Sequence, residues 1–118
     1  MTKARNGRTR RFFHVTDRRY TEDILSNGFL AGTGSAGPGT YLFRERWLAD
    51  DWIDGHPLTY TDPVILVVRT PDEVVPASSL ADPAQIDHDM IRGHFIHPHR
   101  PGTRWKPAAV SVHEDFID

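Results

Sequence analysis

Two short apolar runs in this chain each carry one ring capable of chemistry. Arg11-Phe12-Phe13-His14-Val15-Thr16 sets an imidazole among strand-forming residues, and Gly37-Pro38-Gly39-Thr40-Tyr41-Leu42-Phe43 sets a phenol. The imidazole gives or takes a hydrogen bond at either ring nitrogen and changes charge near neutrality. The phenol offers an aromatic face and a hydroxyl. A strand alternates its side chains, so Phe12, His14 and Thr16 share one face while Phe13 and Val15 take the other. On adjacent strands, His14 and Tyr41 can meet in one cleft.

Other chemistries find less support. There is no Gly-x-Ser-x-Gly elbow, and Ser78, Ser79 and Ser111 lie in no nucleophile signature. The chain has no cysteine, which excludes disulfides, thiolate catalysis and Cys-ligated zinc. His94, His97 and His99, with Asp87 and Asp89 nearby, form the densest set of ligand types. Pro98 favours a turn between the last two histidines, and metal ligands need fixed directions and supporting hydrogen bonds. We therefore read this stretch as surface and expect no metal site.

The elements that must place these residues follow in order. Arg10 to Thr16 reads as a strand and Tyr20 to Asn27 as a helix, with Asp17 or Thr21 as its cap and Gly28 as its stop. The Gly-rich stretch Ala31 to Gly39 lacks both the Gly-Lys-Ser/Thr of a Walker loop and a following helix. It is either a flexible connection or a loop that lets backbone approach a ligand. Thr40 to Phe43 is a second strand, and Arg44 to Ile53 a second helix with Leu48, Ala49, Trp52 and Ile53 inward. Pro63 to Arg69 is the strongest strand, buried on both faces. Val74 and Val75 suggest an edge strand, Met90 to Ile96 another strand, and Pro107 to Val112 the last. The tryptophans Trp47, Trp52 and Trp105 are placed in the core by their type, with the cleft as the alternative.

A chain of 118 residues with 38% hydrophobic content makes one domain that can bury a core unaided. We expect a compact α+β domain over residues 10–118, with a split, mostly antiparallel sheet and short helices. Residues 1–59 carry nine Lys/Arg against seven Asp/Glu, and residues 60–118 five against nine. The excess sits in Lys3, Arg5, Arg8, Arg10 and Arg11, so residues 1–9 read as a flexible basic arm. No run is long enough to span a membrane and no apolar signal core opens the chain, which leads us to expect a cytoplasmic protein.

The order of these motifs resembles the ADP-ribosyltransferase fold in its His-Tyr-acidic branch. It is most similar to the small bacterial rifamycin ADP-ribosyltransferases, which open with Phe-Phe-His-x-Thr, and the likeness is best over residues 11–70. The resemblance implies NAD as substrate, with His14 on a ribose hydroxyl and Tyr41 packed on the nicotinamide. It also implies Thr16, Gly39 and Trp52 beside the bound NAD. Breaking the nicotinamide–ribose bond builds positive charge on the ribose, so the branch adds a carboxylate there. Here Trp105-Lys106-Pro107 opens the last strand without an acid, which leaves Asp82, slightly favoured, and Glu114 as candidates. The implied activity is mono-ADP-ribosyl transfer to an unknown acceptor: a small molecule, a protein or a nucleic acid. The RNA 2′-phosphotransferases of the same fold come second, because they keep a basic or His residue where this chain has Tyr41. A third possibility is a catalytically degenerate NAD-binding or interaction module, for which the missing acid is the main support.

Overall fold

The structure is a computed structural model that describes residues 8–113. The basic arm, apart from Arg8 and Thr9, and Glu114 lie outside the described residues.

Strand β1 (Arg10–Asp17) is the axis of the fold, and apolar side chains on both its faces explain why. Phe12 is 1% exposed and Phe13 3%, so the strand is buried on two sides. It runs antiparallel to β4 (Pro63–Thr70) through eight register pairs, from Arg10 opposite Thr70 to Asp17 opposite Pro63. The full sheet has the order β5-β6-β3-β1-β4-β8, with β3 (Gly39–Phe43), β5 (Val75–Pro76), β6 (His94–Pro98) and β8 (Ala109–Val112). Every pairing in it is antiparallel. A separate two-stranded ladder joins β2 (Phe29–Leu30) to β7 (Arg104–Trp105).

One face of the large sheet buries Phe12, Leu66 and Val68 against Ile24 of α1 (Thr21–Asn27), and against Phe29 and Trp105 of the small ladder. The other buries Phe13, Val15 and Ile65 against Leu48 and Ala49 of α2 (Arg46–Gly55). Each large side chain so enclosed contributes about 1.5–3 kcal/mol of transfer free energy. The result is an α+β domain with helices on both faces of a central antiparallel sheet. No helix among the described residues is long and apolar enough to cross a membrane.

The sheet is opened at its centre. β1 pairs β3 at one register position only, Phe13 opposite Phe43, whereas β3 pairs β6 through five. Beyond Phe13 no further register pair joins the two strands, and His14 and Tyr41, which follow on β1 and β3, both line the cleft there.

Several sequence expectations need correction. Asp17 does not cap a helix; its Oδ1 accepts from the backbone N–H groups of Thr61 and Asp62 at 2.8 and 2.9 Å and so ties the entry of β4 to the end of β1. Nor does Thr21 cap, since its hydroxyl is buried without a hydrogen bond. The second helix starts two residues later than read, at Arg46, after Glu45 in extended conformation. Met90 and Ile91 are not strand but belong to the short helix α3 (His88–Ile91), whose Met90 N–H donates to Asp87 Oδ1 at 3.1 Å. Trp47 is 49% exposed rather than core, under the Arg92 guanidinium at 5.0 Å.

Candidate functional site

His14 bridges the opening in the sheet. Its Nδ1 lies 2.7 Å from the Tyr41 carbonyl oxygen, where a ladder bond between β1 and β3 would otherwise run. A carbonyl only accepts, so Nδ1 carries the proton and the neutral ring keeps a lone pair on Nε2. Phe29 holds the imidazole edge-on at 4.8 Å. Burial pushes the His14 pKa below its ordinary 6.5, partly offset by the bond to Tyr41, so the neutral form prevails at pH 7. Nε2 makes no hydrogen bond among the described residues and keeps its acceptor lone pair, on a ring that lines the cleft.

Tyr41 contributes its ring rather than a free hydroxyl. The hydroxyl donates to the Gly37 carbonyl at 2.6 Å and accepts from the Ala36 N–H at 3.1 Å, which folds the Gly-rich loop back over the strand. Burial pushes the phenol above its usual pKa, opposed by the Ala36 bond, so it stays protonated. Gly34 lies against the ring: a Cβ there would come within 2.8 Å of Cζ and of the hydroxyl oxygen. In the middle of the Gly-rich stretch the backbone thus approaches the Tyr41 ring closely.

The cleft so framed has a volume of about 310 Å³. Thr33, Gly34 and Ser35 form one wall, and His14 and Tyr41 stand at the opening between β1 and β3. Phe43, Trp52, Tyr60 and His94 close the remainder. Trp52 Nε1–H donates to the Tyr60 hydroxyl at 2.9 Å, and the Trp52 ring stacks on His56 at 3.9 Å. Burial, with the nearby Asp17 charge, raises the Tyr60 pKa, so it too is a neutral phenol. No residue lining the cleft is Asp, Glu, Lys or Arg among the described residues.

The structure thus brings together three of the residues singled out from sequence: His14, Tyr41 and Trp52. The other three lie elsewhere. Thr16 is buried in β1 opposite Val64 and does not line the cleft. Gly39 belongs to the β3–β6 pairing, where a Cβ would come within 2.5 Å of the His97 carbonyl oxygen. Asp82 is exposed and caps the turn Pro83–Gln85, its Oδ1 accepting from Ala84 N at 3.0 Å.

His94 is the cleft residue that sequence reasoning placed elsewhere, in a group with His97 and His99. Its ring stacks on Phe43 at 4.9 Å and 13°, and meets Tyr41 edge-on at 5.7 Å. His97 lies on the opposite face of β6, stacked on Trp105 at 4.1 Å, with its Nδ1 3.0 Å from the Glu73 carbonyl oxygen. The alternation of a strand already separates residues 94 and 97, which was the available signal. Among the described residues, no group of three His, Asp or Glu side chains is arranged to hold a metal ion.

His99 is fully engaged. Thr103 donates its hydroxyl proton to the Arg100 carbonyl at 2.6 Å, so it can only accept from His99 Nδ1 at 2.9 Å. Nε2 is then the acceptor for the Thr40 hydroxyl at 2.8 Å. This pins the start of β3 to the turn after β6.

The chain matches no protein-family model, no curated protein and no solved structure.

Proposed function

We propose that the protein binds NAD in the cleft between β1 and β3 and acts as an NAD-dependent mono-ADP-ribosyltransferase. The observation that carries this reading is the convergence of His14 and Tyr41, 27 residues apart, on one cleft where β1 and β3 pair at a single register position. The volume of about 310 Å³ is at the lower end for small-molecule sites, enough for the nicotinamide riboside half of the dinucleotide. His14 Nε2 would accept from a ribose hydroxyl. The Tyr41 face and the rings of Phe43 and Trp52 would hold the nicotinamide. That ring is cationic in NAD, and aromatic faces free of neighbouring Lys or Arg favour a cation by roughly 0.5–2 kcal/mol each. Bound NAD supplies the scissile bond; the chain supplies orientation and exclusion of water.

A second reading is favoured by one feature: the cleft lacks a carboxylate among the described residues. A domain that binds NAD without cleaving it would look the same. Nicotinamide release by the full chain, measured with and without small-molecule, protein and nucleic-acid acceptors, separates the two. Release above the buffer rate supports transfer; NAD binding without release supports the module.

Asp82→Asn is expected to leave nicotinamide release within about twofold, because that side chain holds a surface turn. A hundredfold loss on this substitution would place the acid where the geometry does not. Glu114, next after His113, is the remaining candidate for the carboxylate.

Acid should weaken both stability and ligand binding through His14. Its folded pKa lies below the unfolded value, so the unfolded chain binds the proton first as pH falls past 6.5. The stability present above that pH is lost on the way down to the folded value. Protonation also removes the Nε2 acceptor. Urea midpoints measured from pH 7.5 to pH 5 should fall less steeply for His14→Gln than for the parent chain; parallel slopes would contradict this.

A further inference from the structure

The described arginines fall into two groups. Arg18, Arg19, Arg44, Arg46, Arg92 and Arg104 each have a carboxylate within 4.0 Å. Arg8, Arg10, Arg11 and Arg69 have none among the described residues; nor does Arg100, alone in the turn after β6. These four are exposed and gather at one end of the β1–β4 pair.

Their placement is unfavourable for the isolated fold. Arg11 and Arg69 are direct register partners across β1 and β4, so both side chains stand on one face with Cβ atoms about 4.5–5.5 Å apart. Like charges directly opposite destabilise a sheet. Arg10 lies next to this pair on the other face. Phe12 and Phe13 brace the guanidinium groups, with Arg10 Cζ 4.9 Å and Arg11 Cζ 5.5 Å from the respective ring centres. The charges are thus held in place rather than swung apart, and no carboxylate among the described residues neutralises them.

We propose that this end of β1 and β4 is a phosphate-backbone surface that binds a nucleic-acid strand. All four cations are arginines, whose planar fork suits phosphate oxygens better than an ammonium does. They occupy both faces of the sheet end, which a flexible strand can wrap and a flat lipid surface cannot. His14 follows Arg11 by three residues, roughly 10 Å along β1, so a strand held here passes the rim of the cleft. The binding surface stands on its own; that the strand is also the ADP-ribose acceptor rests on the NAD reading.

The test uses the full chain with short fluorescein-labelled oligo-dT and oligo-U, read by anisotropy between about 50 and 200 mM salt. Binding of either strand with a log–log salt slope near −3 is expected, about −0.7 per phosphate contacted. Arg11→Gln combined with Arg69→Gln should weaken binding at least tenfold and flatten the slope. Arg18→Gln combined with Arg104→Gln should change it less than twofold. Unfolding midpoints verify folding, and the first pair should not lower its midpoint because it relieves repulsion. The proposal is overturned by absence of binding at low salt, by binding indifferent to the first pair, or by capture on phosphatidylserine vesicles with no oligonucleotide binding. His14→Ala should retain oligonucleotide binding, so failure of the NAD reading leaves this result distinguishable.

Discussion

His14→Ala is expected to reduce nicotinamide release at least a hundredfold while leaving the unfolding midpoint of the chain high enough for a folded protein at 25 °C. The imidazole has two roles in the proposal: Nδ1–H bridges β1 to the Tyr41 carbonyl, and Nε2 is the acceptor proposed for the ribose hydroxyl. Truncation removes both, and misplacing a reacting group by about 1 Å is itself enough for a loss of order a hundredfold. His14→Gln separates the two roles. Its amide can donate to Tyr41 and restore the bridge, so it should recover stability more than activity. Turnover unchanged in His14→Ala would remove His14 from the site.

Gly34→Val should abolish NAD binding to the limit of calorimetry, roughly a hundredfold loss, with the core intact. The Cβ alone would lie 2.8 Å from Tyr41 Cζ and from its hydroxyl oxygen, closer than real contacts allow, and a tight 3.2 Å from Cε2. Relief requires either the loop to lift or the tyrosine ring to swing into the cleft. The first breaks the bonds from the Tyr41 hydroxyl to Gly37 and Ala36; the second fills the space proposed for the nicotinamide. Gly37→Val, in contact with nothing at its Cβ, is the steric control: its φ of 96° makes it locally strained, but it puts no atom against Tyr41. Equal loss of binding in both variants would show that loop flexibility, rather than the Tyr41 face, is what matters.

The strands that carry the fold were legible because their composition admits one reading. Val64 to Val68 is β-branched and continuous, and Phe12, Phe13 and Val15 fill both faces of β1, so each had to lie inside a sheet. The α1 helix was equally clear from Ile24 and the Gly28 stop at φ 89°. What escaped was set by long-range pairing. The β2–β7 ladder has two residues a side, too short for any period, and exists because Phe29 and Trp105 pack 5.9 Å apart. Met90 to Ile96 reads as one strand, yet Asp87 caps a helical turn that takes in Met90 and Ile91, and Gly93, at φ 113°, comes before the strand that begins at His94.

The site shows the same division. His14 and Tyr41 were visible as rings in strands, and Trp52 as the aromatic of a nearby helix. The convergence of His94 was not, because it depends on β6 pairing with β3 in a register that sets His94 opposite Phe43. Gly39 and Asp82 were named through the resemblance; in the structure Gly39 sits in close contact with β6 and Asp82 caps a surface turn, neither of which the sequence pattern displays.

Calorimetric titration of NAD into the parent chain, His14→Ala and Gly34→Val tests the central claim most directly. The account predicts one site per chain in the parent, weakened at least tenfold by the first substitution and lost in the second. NAD binding with the same affinity in all three proteins, or no heat with the parent, would contradict it.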